Sequence, residues 1–176
     1  SLSMKLGFHM LDTGAIFRGI ACAFADMGYI DMNEETIKNF VAKIEVDVKF
    51  FDDVQHVFVN GEDKTSNLRT EKTSVLASKI SVFPSVRRFM NDVAREFAKN
   101  NNCIIEGRDI GSVVLPNADV KIFLTADEEV RAKRRYLQLL ESGKSADFDD
   151  VLKDLQERDY RDSHREIAPL TMTKDA

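Results

Sequence analysis

Glu106-Gly107-Arg108-Asp109-Ile110-Gly111-Ser112-Val113-Val114 follows the apolar, strand-like run Cys103-Ile104-Ile105. It sets a carboxylate, a guanidinium and a second carboxylate at the end of that strand, which is where open α/β sheets bind ligands. Arg108 offers a planar fork of donors for phosphate or carboxylate, the two acids can hold hydroxyls or a metal, and the glycines allow the backbone to approach a ligand closely. The same residues also suit a charged loop with an internal ion pair.

Two segments outside this stretch extend the pattern. His9-Met10-Leu11-Asp12-Thr13-Gly14-Ala15-Ile16-Phe17-Arg18 reads as a short strand, a tight turn at Asp-Thr-Gly, and a helix with Arg18 in its first turns. Near the other end, Glu157-Arg158-Asp159-Tyr160-Arg161-Asp162-Ser163-His164-Arg165 places Arg158, Asp162 and Arg165 on one helix face. Two arginines around an aspartate can take an anion and a hydroxyl together, or form a solvated salt-bridge stripe.

The chain has 176 residues, 43% hydrophobic and 31% charged, enough to bury a core without disulfides. Cys22 and Cys103 show no CxxC or Cys/His spacing and read as small buried apolar residues. His9, His56 and His164 share no ligand spacing either, so no metal-ligating residue is expected. A net charge of −5 argues against a general nucleic-acid binder. Positive charge is instead local, at Arg131, Lys133, Arg134 and Arg135 and again at Arg158, Arg161 and Arg165. Apolar runs are too short to span a bilayer and no signal segment is evident, so the expected compartment is the cytoplasm.

The expected order is strand 8–11, helix 13–27, strand 103–106, strand 119–124 and helix 127–142, the alternation of a doubly wound α/β domain. A different block interrupts it. Val46-Asp47-Val48-Lys49-Phe50-Phe51 alternates, Asp52-Asp53 can turn, and His56-Val57-Phe58-Val59-Asn60-Gly61 returns as a hairpin, followed by helices near 70–80 and 84–99. Asp147 to Arg165 forms another helical stretch, with Phe148, Val151, Leu152 and Leu155 on its apolar side and a turn at Glu141-Ser142-Gly143-Lys144-Ser145 before it.

Taken together, these segments resemble the bacterial-type cytidylate kinases. The resemblance rests on Leu11 to Arg18, on Ser78 with Phe83-Pro84-Ser85-Val86-Arg87, and on Glu106 to Gly111. It continues through Pro116 to Leu124, Arg134 to Leu139, Glu157 to Arg165 and Ala168-Pro169-Leu170, in family order over nearly the whole chain. It implies a P-loop nucleoside monophosphate kinase-like α/β fold: a parallel sheet core (1–35 and 100–176), an inserted monophosphate-binding subdomain (36–99) and a helical lid (about 143–166). On residues alone, the default reading of the hairpin block is a separate antiparallel subdomain without a ligand.

The resemblance implies transfer of the γ-phosphoryl group of ATP to CMP or dCMP with Mg²⁺, in a protein expected to be a monomer. Phosphoryl transfer needs guanidinium groups and a cation to balance charge on the moving oxygens. By resemblance, Arg18, Arg108 and Arg165 hold the acceptor phosphate and Arg158 the phosphates during transfer, so Arg158, Arg165 and Arg108 are the expected catalytic residues. Ser78 and Arg87 would read the cytosine edge, Asp109 and Asp162 the ribose hydroxyls, and Thr13 would lie near the nucleotide. Phe17 stands where the family often has Tyr.

One family motif has no counterpart. Such kinases carry a Walker A loop, G-x-x-x-x-G-K-[ST], whose amides and Lys cradle ATP phosphates. Gly61-Glu62-Asp63-Lys64-Thr65-Ser66 mimics part of it but lacks the second Gly and lies between strand-like segments, so it reads as a turn. Ser1 to Gly7 resembles the tail of the helix that follows such a loop, and Lys174-Asp175-Ala176 precedes the last strand and helix the family implies. The expectation is that the loop belongs to the protein outside these residues. The alternatives are a truncated or degenerate CMP-binding module without catalysis, or a kinase for another monophosphate such as UMP.

Overall fold

A computed structural model describes residues 2–176. Packing divides the chain into one unit through Ile110 and another from Gly111 to Ala176.

In the first unit, helix α1 (Leu2–Leu6) leads into strand β1 (His9–Asp12), which pairs in parallel with β5 (Cys103–Glu106), His9 opposite Cys103 and Asp12 opposite Glu106. Both strands therefore end together, and helix α2 (Thr13–Asp26) starts from β1 without a connecting loop. Helix α2 is apolar nearly all round, with Ile16, Ile20 and Phe24 fully buried, as a helix enclosed by neighbours must be.

The hairpin lies where the alternation places it. Strands β2 (Val46–Phe51) and β3 (Val54–Val59) pair antiparallel through Asp52-Asp53, both at positive φ (50° and 61°). Two consecutive left-handed residues are what a two-residue hairpin turn with the right twist requires. Gly61 to Ser66 turns as expected, with a two-residue strand β4 (Glu62–Asp63) and a 3₁₀ turn at Thr65–Asn67. Helices α4 (Glu71–Ile80) and α5 (Pro84–Asn100) follow, the first capped by Thr70 and the second opening on Pro84 at its first position. Helix α3 (Glu34–Val41), which the expected order omits, has its own local signal: Asn33 accepts from the Thr36 amide at 2.9 Å, and Glu34 and Glu35 occupy the first turn.

The second unit holds α6 (Glu128–Glu141) and α7 (Phe148–His164), each capped by an Asp carboxylate, Asp127 and Asp147. The helices are tied by Arg131 to Asp159 at 2.6 Å and by the edge of Tyr136 against Phe148. The expected strand at 119–124 does not form. Its alternation is genuine, but Val120, Ile122 and Leu124 are 75%, 72% and 90% exposed. An apolar period of two specifies a strand only when a neighbouring backbone supplies the ladder and a surface covers the apolar face; here no described strand pairs with the segment, and the half-covered row is Lys121 and Phe123 instead of the apolar one.

Candidate active site

The ends of β1 and β5 gather the first group of expected site residues. Thr13, buried, donates from Oγ1 to the Glu106 carbonyl at 2.8 Å and so stitches the start of α2 to the end of β5. Gly107 is required here: a Cβ on it would stand 2.7 Å from both Thr13 Oγ1 and Ile110 Cδ1. Asp12 has the N-cap position of α2 but does not cap it. Its carboxylate instead accepts from Arg18 Nη2 at 2.7 Å, one and a half turns along the helix. Gly14 sits in the crook of that pair, where a Cβ would meet Asp12 Oδ1 at 2.9 Å and Arg18 Nη1 at 3.1 Å. Arg18 Nε is buried and has no hydrogen-bond partner among the described residues.

Asp12 and Glu106 are register partners, so two carboxylates end adjacent strands. Burial pushes the Glu106 carboxyl above its ordinary range, the nearby charge of Asp12 adds to this, and Arg108 and Arg18 oppose it. Arg108 is exposed at the mouth of this strand end.

A second group forms around α5. Arg87 is 2% exposed and donates from Nη2 to Asp109 Oδ2 at 2.7 Å; Asp109 is 4% exposed. Arg87 Nη1 donates to the Ser81 carbonyl at 2.9 Å, and Ser81 Oγ in turn donates to the carbonyl of Ser78 at 3.0 Å. The guanidinium carbon lies 5.8 Å from the centre of the Phe17 ring, next in sequence to Arg18. Arg87 and Asp109, from α5 and the turn after β5, are thus brought together, Ser78 lies one helical turn before the Ser81 carbonyl that holds Arg87, and the Phe17 ring of α2 lies against the guanidinium.

Arg158, Asp162 and Arg165 stand in the second unit. Arg158 Nε is 3.8 Å and Arg165 Nη1 3.6 Å from the Asp162 carboxylate, so the two arginines flank the aspartate as their spacing predicts. Arg165 ends α7 in extended backbone and donates from Nε to the Ala168 carbonyl at 2.6 Å. The Asp162 carbonyl accepts from the Leu170 amide at 2.8 Å, which folds Ala168-Pro169-Leu170 back on the helix end.

Of the histidines, His9 stacks on Phe50 at 4.4 Å, His56 pairs with Asp63 at 2.8 Å, and His164 stacks on Tyr160 at 4.0 Å. Sequence reasoning passed over two residues that the geometry brings forward, Asp12 and Gln55. Gln55 binds the Asp12 backbone twice, accepting from its amide at 2.7 Å and donating to its carbonyl at 3.2 Å. The available signal was a polar residue in the inward-facing set Gln55, Val57, Val59 of a strand.

Carboxylates and guanidinium groups at the shared end of two parallel strands, beside a buried Arg–Asp pair, mark the candidate site of an α/β protein and are groups that suit an anionic, hydrogen-bonding ligand. Comparison with known proteins identifies which class. The family model described as cytidylate kinase matches residues 1–176. The chain is 41% identical over 175 residues to a cytidylate kinase of Leuconostoc mesenteroides, covering 99% of this chain and 78% of that protein. It is 42% identical over 178 residues both to a cytidylate kinase of Pasteurella multocida and to cytidylate kinase 2 of Haemophilus influenzae, covering all of this chain and 78% and 79% of those proteins. The chain belongs to the cytidylate kinase family and is a phosphotransferase of the CMP kinase type.

Proposed function

We propose that the chain binds CMP or dCMP at the end of β1 and β5 and supplies the charge that lets its phosphate accept the γ-phosphoryl group of ATP. The observation that carries this reading is the buried Arg87–Asp109 pair, which sets a donor and an acceptor side by side out of water. Cytosine offers an amino donor beside a ring-nitrogen acceptor and a carbonyl acceptor. Arg87, with Ser78, suits the two acceptors, and Asp109 suits the amino group. Because Asp109 is bound to Arg87, it fits the base edge better than the ribose hydroxyls the resemblance assigns to it. Uracil, with a carbonyl where cytosine has its amino group, would face the Asp109 carboxylate and leave buried polar groups unpaired.

Arg18 serves the acceptor phosphate, with Thr13 close to the nucleotide; its buried, unpartnered Nε is a donor an anionic oxygen would satisfy. Arg108, exposed at the strand end, joins it. Arg158 and Arg165, with Asp162 on the ribose, act from a helical lid at about 143–166 that closes to exclude water and bring positive charge to the moving phosphoryl group. The hairpin and its helices, 36–99, form the monophosphate-binding subdomain.

ATP use implies Mg²⁺; the described residues form no cluster of three His, Cys, Asp or Glu side chains that would hold it by themselves, so the ion would be carried largely by the nucleotide phosphates, with Glu106 as a carboxylate that could face it. Glu106 is a carboxylate held above its ordinary range by burial and by Asp12, so a hard cation nearby relieves it. When bound, Mg²⁺ would supply charge neutralisation at the phosphates, while the arginines orient and balance the transferring group. We read the protein as a monomer acting in the cytoplasm; no described helix is long and apolar enough to cross a membrane.

The test is turnover with ATP and CMP, dCMP, UMP or AMP as acceptor. CMP or dCMP is expected to give the highest kcat/KM; UMP or AMP as best acceptor would overturn the base assignment.

A further inference from the structure

Strand β3 packs closely on α2. Gly19 of α2 faces it so closely that a Cβ there would lie 2.6 Å from Val57 Cγ1 and 3.6 Å from Val59 Cγ2, and both valines are buried. Side chains alternate along a strand, so Gln55 shares the inward face with Val57 and Val59. Its carboxamide reaches β1 and does for Asp12 what a neighbouring strand would do, pairing with both its amide and its carbonyl.

Residue 12 is the pivot where β1 becomes α2. The orientation of its peptide sets the direction of its side chain, and its carboxylate holds Arg18 at 2.7 Å over Gly14. A chain of contacts therefore runs from the hairpin to a guanidinium of the site: Val57 against Gly19, Gln55 on the Asp12 backbone, and Asp12 on Arg18.

We propose that Gln55 is a positioning residue which, through Asp12, fixes Arg18 for the acceptor phosphate. The inference rests on the assignment of Arg18 to that phosphate given above. Gln55 touches no substrate; it removes the freedom of the groups that do. Small misplacements of such groups cost catalysis heavily, on the order of 100-fold for about 1 Å.

The experiment is a double-mutant cycle with Gln55→Met, which keeps the length of the side chain and loses both hydrogen bonds, and Arg18→Ala. KM for CMP, kcat and Tm are measured for each variant and for the pair. Gln55→Met is expected to raise KM for CMP about ten-fold, with KM for ATP unchanged, and to have no further effect in the Arg18→Ala background. An unchanged KM for CMP, or a drop in Tm alone, would assign Gln55 to stability and overturn the proposal. So would the same fold rise in both backgrounds, since Gln55 would then act by another route.

Failure of the underlying assignment is visible separately, as an Arg18→Ala variant with unaltered KM for CMP; any Gln55→Met effect on KM would then also exclude the route through Arg18. Should Gln55→Met not fold, Gln55→Glu keeps the acceptor for the Asp12 amide and loses the donor to its carbonyl. It is expected to raise KM for CMP, and no rise would overturn the proposal.

Discussion

Arg87 and Asp109 face each other at 2.7 Å with almost no access to water. A buried pair of this kind contributes little net stability compared with an apolar pair, but losing one partner strands the other's charge. Asp109→Ala is therefore expected to cost about 3 to 5 kcal/mol in denaturant unfolding, more than Asp109→Asn, which can still accept a hydrogen bond from Arg87. Equal losses would mean that the charge of Asp109 does not matter.

In the proposed reading the same pair selects the base. Arg87→Ala is expected to weaken CMP binding by about 1 to 3 kcal/mol, the usual loss for a charged hydrogen bond. Titration calorimetry checks this, and unchanged CMP affinity would remove Arg87 from the base site.

Gly19 offers a test of packing against propensity. In an open helix, Gly→Ala gains about 1 kcal/mol. Here the added methyl meets Val57 at 2.6 Å, and overpacking costs about 1 to 3 kcal/mol. Gly19→Ala is expected to lower Tm, and Val57→Ala added to it is expected to cost less than Val57→Ala alone. A rise in Tm for Gly19→Ala would show that the hairpin yields.

Asp63 governs part of the acid limb of stability. Hydrogen bonds from Thr65, then from His56, lower its carboxyl from 3.8 to about 2. A carboxyl lowered on folding contributes stability that is present above its unfolded value and is lost as pH falls from about 4 through about 2. The Asp63 carboxyl resonance is expected to titrate near 2, and Asp63→Asn should flatten the loss of stability over that window. A midpoint near the ordinary value would refute the contribution.

Arg165 ends α7 beside Asp162 and is tied to the Ala168 carbonyl. If its charge acts in the closed transition state, Arg165→Ala lowers kcat more than it weakens CMP binding. Equal losses would assign it to ground-state binding.

Much of this was legible in the chain because it is local. The hairpin turn at Asp52-Asp53, the caps at Asn33, Thr70, Asp127 and Asp147, and the offsets that bring Arg158 and Arg165 around Asp162 follow from spacing of a few residues. The segment 119–124 shows the limit of such reading, since its alternation is indistinguishable from that of β2, yet only β2 has a partner strand. Gln55 shows the converse: a polar residue in an inward row whose purpose is invisible until Asp12, 43 positions earlier, is seen across from it.

The order of residues alone specified most of the helices, the hairpin, the strands that become β1 and β5 and the side-chain types of the candidate site, because periodicity and turns are written over short spans. Tertiary structure decided which charges meet. That Arg87 is buried against Asp109, that Asp12 holds Arg18 instead of capping α2, and that Gln55 anchors Asp12 all depend on which distant segments exclude water from each other, and that is a property of the packed chain.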